Sequence, residues 1–405
     1  MLNKDNILMI ILGFLPFVMV IGNSMFIPIL PTIEMELGIN SAQTGLLLTV
    51  FSIPAALIIP FTGFFANKFG RKKIILISLF LVGTGSILSA VSPFIGSTEA
   101  SYALLIIGRV IQGLGAGGTA PLAMTLVGDL FTAGKRSKAL GTIEVFNGLG
   151  KMLSPFFGII AVMIVWHSAF WFYLLLVTVT FLGILTYVNT DKPTYPMSIK
   201  QYRNNVKAVL TKEHKWLLPV FFTGGVILFI LFGLLVYLSY EAEMVYLVNG
   251  MTKGILFAVP LGVMTICSYF SGRYIGDDVG RVKIMVSSGL GLMLVVLIGG
   301  MLQHSFVMLV IMMTFFSAGA GFLLPCCNLF VTSNVSKEDR GSVVSLYGMV
   351  RFMGVALGPL IYSQWMYNEW WMFMYSFLLL IGAVIWLYVG WLALGDGDSL
   401  STSPT

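Results

Sequence analysis

Lys151 and Arg351 stand in apolar stretches, 141–165 and 343–366, that are otherwise nearly free of charge. A cation within hydrocarbon is costly and normally faces a partner or a watery cavity. The chemistry open to it is recognition of a negatively charged group or, for lysine, exchange of a proton. Glu144, Asn147, Lys151 and Pro155 fall at i, i+3, i+7 and i+11 and so share one face of a helix. Glu144 is a candidate proton carrier, and Lys151, Asn147 and Arg351 are candidate substrate contacts. The alternative is structural, with these groups closing ion pairs to other helices or, for Glu144, reaching the membrane interface. Asn23 is a central polar residue of the first apolar run, and it joins the substrate candidates with Tyr237 and Phe322. Aromatic residues at such places also serve as packing. Glu241 and Glu243 end the seventh run, either as a proton site, with Glu241 the candidate, or as a solvated rim. Arg109 has Gln112 on its own face at i+3. Arginine does not readily release its proton, so any part it has in proton coupling acts through a neighbour.

These residues need elements that cross a bilayer. The chain has 405 residues, of which 58% are hydrophobic and 10% charged, with a mean hydropathy of +0.94. A soluble protein of this length could not cover such a core with so little charge. Twelve continuous apolar runs, from 7–30 to 371–393, are each long enough to cross about 30 Å of hydrocarbon as a helix. Their continuity, without alternation, excludes strands. The expectation is an all-α membrane protein of twelve transmembrane helices. The first run is long enough to span and does not read as a cleavable leader.

The net charge of +6 is spread over short loops, which orients a membrane protein and does not suggest nucleic acid. With the N-terminus inside, almost all basic loop residues are cytoplasmic, and Lys253 alone falls outside. Both termini are then expected in the cytoplasm, in a bacterial-type plasma membrane. Cys267, Cys326 and Cys327 all lie in apolar runs, so neither a disulfide nor a metal site is expected. His167, His214 and His304 fall at or near loops, and no nucleophile–base or metal-ligand spacing appears. That argues against an enzyme and against a cofactor.

The chain repeats itself. Asn67-Lys68-Phe69-Gly70-Arg71-Lys72-Lys73 follows the second run, and Asp277-Asp278-Val279-Gly280-Arg281-Val282-Lys283 follows the eighth. Pro121 matches Pro325 and Arg136 matches Arg340 at one constant offset. The expected organisation is a six-helix half at 1–188, a basic cytoplasmic linker at 189–216, a second six-helix half at 217–393, and a disordered tail at 394–405. Two repeated membrane halves suit a secondary transporter.

The loop from Gly63 to Lys73 resembles the signature loop of the major facilitator superfamily. Arg109-x-x-Gln112-Gly113-x-Gly115-Ala116-Gly117 resembles the fourth-helix motif of that family, and Gly150-Lys151-Met152-Leu153-Ser154-Pro155-Phe156-Phe157-Gly158 resembles the fifth-helix motif of its twelve-helix drug/proton antiporters. Asn67 replaces the usual aspartate of the loop, which Asp277 keeps in the second half, and the first run lacks the carboxylate common in drug antiporters. The resemblance implies two pseudo-symmetric halves rocking around a midplane site. It implies a cytoplasmic latch from Asn67, Gly70, Arg71 and Asp129, with Asp277 and Arg281 in the second half, and a part for Arg109 in proton transfer or helix packing.

The expected function is a proton-coupled exporter of a small amphiphilic molecule, of multidrug type, working by alternating access. A dedicated exporter of an anionic or zwitterionic metabolite, such as an amino-acid-derived metallophore, is the alternative that the buried cations favour. A lipid flippase or a receptor-like membrane protein is a third reading. The partners expected are a small-molecule substrate, protons and the lipid bilayer, and a monomer suffices.

Overall fold

The computed structural model describes residues 4–131, 133–189, 199–275, 279–302, 305–335 and 339–392. Among them, twelve helical spans are long and apolar enough to cross a membrane. Asp277, one of the latch candidates, and the tail at 394–405 lie outside the described residues. The chain divides into two compact units, one holding Met1–Ile199 with Ala242–Ala258, the other Lys200–Glu241 with Val259–Thr405.

The first unit contains α1 (Lys4–Ser24), α2 (Leu30–Leu37), α3 (Ser41–Phe69), α4 (Arg71–Val91), α5 (Thr98–Ala116), α6 (Ala120–Leu130), α7 (Ala133–Val162) and α8 (Ser168–Tyr187). Two spans that read as single runs are broken. A 3-10 turn at Ile27–Ile29, with Pro28 inside it, joins α1 to α2 and carries the first span on to Leu37. Pro121 opens α6 without a backbone N–H, and the chain tightens before it, with Gly118 and Thr119 bonding back only three residues.

Local chemistry sets other boundaries. Asn40 and Gln43 exchange hydrogen bonds at 2.9 Å as a capping box, satisfying the first free N–H groups of α3. Gly70 separates α3 from α4 at φ 94°, a conformation that a Cβ strains. Inside the unit, α4 packs on α5 and α8, and α1 packs on α7. Gly113 lets α5 close on α3, because a Cβ there would overlap the carbonyl of Phe51.

The second unit contains most of α9 (Ile199–Tyr240) and of α10 (Gly250–Ile275), with α11 (Val279–Leu302), α12 (Phe306–Ser333), α13 (Arg340–Trp365) and α14 (Glu369–Leu392). The stretch 189–215 reads as a polar loop, yet Ile199–Lys215 continues α9 as helix. Its lysines, glutamine and alanine are good helix formers. Val209 is buried on one face, and Glu213 accepts from the Trp216 indole at 2.7 Å. In the same unit α11 packs on α12 and α14. Tyr362 and Ser376 hydrogen-bond across α13 and α14.

Candidate functional site

Arg109 is a fully buried charge of the first unit, with 1% of its surface exposed. It projects from α5 onto the end of α1 and onto α3. Its Nε donates to the Leu47 carbonyl at 3.1 Å, and Nη1 donates to the Gly22 carbonyl at 2.7 Å and to Gln112 Oε1 at 2.9 Å. The guanidinium lies over the Phe26 and Phe51 rings, 4.6 and 4.5 Å from their centroids. Gln112 passes the network on to Ser86 at 3.0 Å. The i+3 pairing with Gln112 was legible in the sequence; the carbonyls and rings from two other helices were not. Asn23 is 3% exposed, and its amide nitrogen and oxygen have no hydrogen-bond partner among the described residues.

On α7, Asn147 Nδ2 donates to Glu144 Oε1 at 3.3 Å, so the shared face of these residues is real in the fold. Glu144 is exposed, Asn147 and Lys151 are half-buried, and Ser154 donates back to the Lys151 carbonyl at 3.1 Å. In the second unit Arg351 is half-buried on α13. Its Nη1 reaches Asn328 Oδ1 at 3.5 Å, its guanidinium lies 5.5 Å from the centroid of the Tyr347 ring, and its buried Nε has no partner among the described residues. Tyr237 is buried edge-on to Phe373, with centroids 6.2 Å apart. Phe322 is half-buried, and its carbonyl accepts from Ser271 at 2.8 Å.

The carboxylates that follow α9 are partly enclosed. The last turn of α9 widens to a π turn over Glu241–Val245, a form that concentrates at functional positions. Glu241 is half-buried. Glu243 accepts from Lys253 Nζ at 2.5 Å and from Thr32 Oγ1 at 2.8 Å. The side chains of Lys253 and Glu243 are only 1% and 11% exposed. Thr32, Glu243 and Lys253 all belong to the first unit. Sequence reading singled out Glu243 as a proton site or a solvated rim but missed its pairing with Thr32 and with Lys253, which it set aside as the one basic residue outside. That anomaly was the available signal, because a lysine that breaks the charge bias needs another reason to be there.

At the other end, Arg71 forms an ion pair with Asp129 and donates to the Thr125 carbonyl at 3.1 Å. Gly70 makes the turn that precedes it. Arg136 donates to the Gly128 carbonyl at 2.7 Å and Lys72 to the Leu185 carbonyl at 2.8 Å. Asn67 lies exposed in the last turn of α3. In the second unit Arg281 donates to the Tyr274 carbonyl at 3.2 Å.

Comparison with known proteins agrees with this architecture. The chain matches the profile of the Major Facilitator Superfamily over residues 12–359 and again over 246–403. It is 37% identical over 366 residues to the bacillibactin exporter of Bacillus subtilis (strain 168), covering 89% of this chain and 90% of that one. It is 26% identical over 361 residues to the quinolone resistance protein NorA of Staphylococcus aureus (strain MRSA252), covering 87% and 88%. The crystal structure of a D-xylose-proton symporter superposes with a TM-score of 0.76 at 14% identity, over 95% of this chain and 97% of the other, a likeness of fold. Twelve apolar helices, the glycine-turned Arg71 loop, the Arg109 motif and these matches lead to one assignment: the chain is a multi-pass membrane transporter of the Major Facilitator Superfamily.

Proposed function

We propose that the protein is a proton-coupled exporter of one anionic or zwitterionic metabolite, working by alternating access, with bacillibactin as the first compound to test. The observation that carries this reading is the 37% identity to the bacillibactin exporter along nearly the whole chain. The half-buried cations agree with it: Lys151 on α7 and Arg351 on α13 stand within membrane spans, where a negatively charged group of the substrate would offset their desolvation. Family and fold alone do not choose a substrate. Export of varied amphiphilic drugs is the second reading, supported by the likeness to NorA.

For the proton, Glu243 offers a better-placed carboxylate than Glu144, which is exposed. Protonating Glu243 removes one charge of a buried pair, leaves Lys253 without its counter-ion, and so favours a state in which the pair is apart. Glu241, half-buried on the same turn, is the second candidate. Orientation with both termini in the cytoplasm rests on the basic loops, and a monomer contains every residue invoked.

The test is proton release from purified protein on addition of bacillibactin, run beside lipophilic cations, for wild type and Lys151→Ala. Release with bacillibactin, lost in the variant, supports the reading. A response to lipophilic cations alone, indifferent to Lys151, transfers the protein to the drug-exporting class.

A further inference from the structure

Arg109 brings a full positive charge into the interior of the first unit, and among the described residues no carboxylate pairs with it. Two backbone carbonyls, Gln112 and two aromatic rings surround it. All are dipoles or quadrupoles, which solvate a cation without neutralising it. The remaining nitrogen, Nη2, is buried with no partner among the described residues.

The helix facing this charge is short of negative groups. The run 7–30 has no aspartate or glutamate. Arg109 grips α1 at the Gly22 carbonyl and at the Phe26 ring. Asn23 lies between those two contacts in sequence, in the last turn of α1, and the Phe26 N–H donates back to its carbonyl at 3.2 Å. Its side chain is a neutral amide, also buried and also without a partner. Two buried donors without a partner among the described residues, one of them charged, therefore belong to the two helices that the Arg109–Gly22 hydrogen bond joins, and Asn23 follows Gly22 directly in the chain. Buried polar atoms are nearly always satisfied, by protein, by water or by a ligand. Water alone would satisfy the hydrogen bonds and leave the charge uncompensated.

We propose that Arg109 and Asn23 form a binding site for a monovalent anion, held by Arg109 Nη2 and Asn23 Nδ2, which leaves Asn23 Oδ1 for a water molecule. The anion is either a halide from the medium or the acid group of a transported compound. The site stands whether or not the protein exports bacillibactin, because it follows from the charge of Arg109 and not from the substrate.

The experiment measures thermal unfolding of the full-length protein in detergent, with sodium gluconate holding ionic strength constant. One arm replaces gluconate with chloride. The other adds benzoate, a carboxylate stand-in for a substrate's acid group, at minimal chloride. In wild type at least one arm gives a saturable rise of the midpoint, about 2 °C or more. A rise with chloride identifies a halide site, and a rise with benzoate alone identifies the acid group of a transported compound. Asn23→Asp supplies an internal counter-charge and abolishes the rise. Asn23→Ala keeps the rise and weakens the apparent affinity about tenfold or more, so the site is still tested if the aspartate variant fails to fold. No rise in either arm for wild type, or an undiminished rise in Asn23→Asp, overturns the proposal and leaves Arg109 satisfied by carbonyls, rings and water.

Discussion

Lys253 Nζ donates to Glu243 Oε2 at 2.5 Å, and the two side chains are 1% and 11% exposed. Thr32, from α2, occupies the other carboxylate oxygen. The segment Ala242–Ala258, which begins inside the π turn at the end of α9 and ends within α10, is thereby fastened to the rest of the first unit through a buried charge pair.

Removing one member of that pair leaves the other buried and uncompensated. Glu243→Gln and Lys253→Met are each expected to lower stability by about 3 kcal/mol. The double variant recovers most of the loss, because two neutral groups of similar size remain. Thermal unfolding of the four proteins gives the cycle, and additive losses would mean that the pair is not coupled.

If Glu243 carries the proton, Glu243→Gln removes the response of transport to a pH gradient while substrate binding persists. Counterflow, which needs no net proton movement, continues in the variant. A variant that still accumulates substrate against a gradient in response to imposed pH rules Glu243 out and returns attention to Glu241.

Lys151→Ala is expected to weaken binding of a negatively charged substrate by tenfold or more, and Lys151→Arg by less, since the charge survives on a longer, forked group. Binding isotherms with one anionic and one cationic ligand make the comparison. An equal loss for both ligands points to a structural part for Lys151.

Arg71 and Asp129 are partly exposed, with side-chain values of 27% and 43%. Their pair therefore contributes little stability, below about 1 kcal/mol. Arg71→Ala and Asp129→Asn should leave the unfolding midpoint nearly unchanged while turnover falls several-fold, and combining them should slow transport no further. Additive effects on turnover would separate the two residues and argue against a latch.

At Gly70 the backbone stands at φ 94° and ψ 136°, which any Cβ strains, so Gly70→Ala is expected to cost about 1–3 kcal/mol. Gly113→Ala meets the Phe51 carbonyl and forces α3 from α5, with a similar loss from overpacking. Because Phe51 also lies under Arg109, Gly113→Ala should disturb transport beyond what its lost stability explains, whereas Gly70→Ala should not perturb the Arg109 network. Unfolding midpoints beside transport rates separate the two effects.

The twelve spans were written in the sequence, because a bilayer admits only helices or closed barrels, whose backbone groups are satisfied internally, and long continuous apolar runs show where the helices lie. The repeat and the glycine-turned Arg71 loop were equally plain, being local patterns, and so was the single face of Glu144, Asn147 and Lys151, which follows from helical periodicity. Neighbours distant in the chain were hidden. Nothing near Arg109 announces the Gly22 and Leu47 carbonyls or the rings of Phe26 and Phe51, and nothing near Lys253 announces Thr32. Hydropathy also hid the helix of Ile199–Lys215 and the breaks at Ile27–Ile29 and before Pro121, which depend on backbone hydrogen bonding and not on polarity. Sequence thus determined that the chain crosses the membrane, where it does so, and which residue types enter the apolar layer. Only the tertiary structure decided which of those charges are partnered. A charge in a low-dielectric interior is governed by the few groups within hydrogen-bonding reach, and packing brings those groups from helices that the chain order keeps apart.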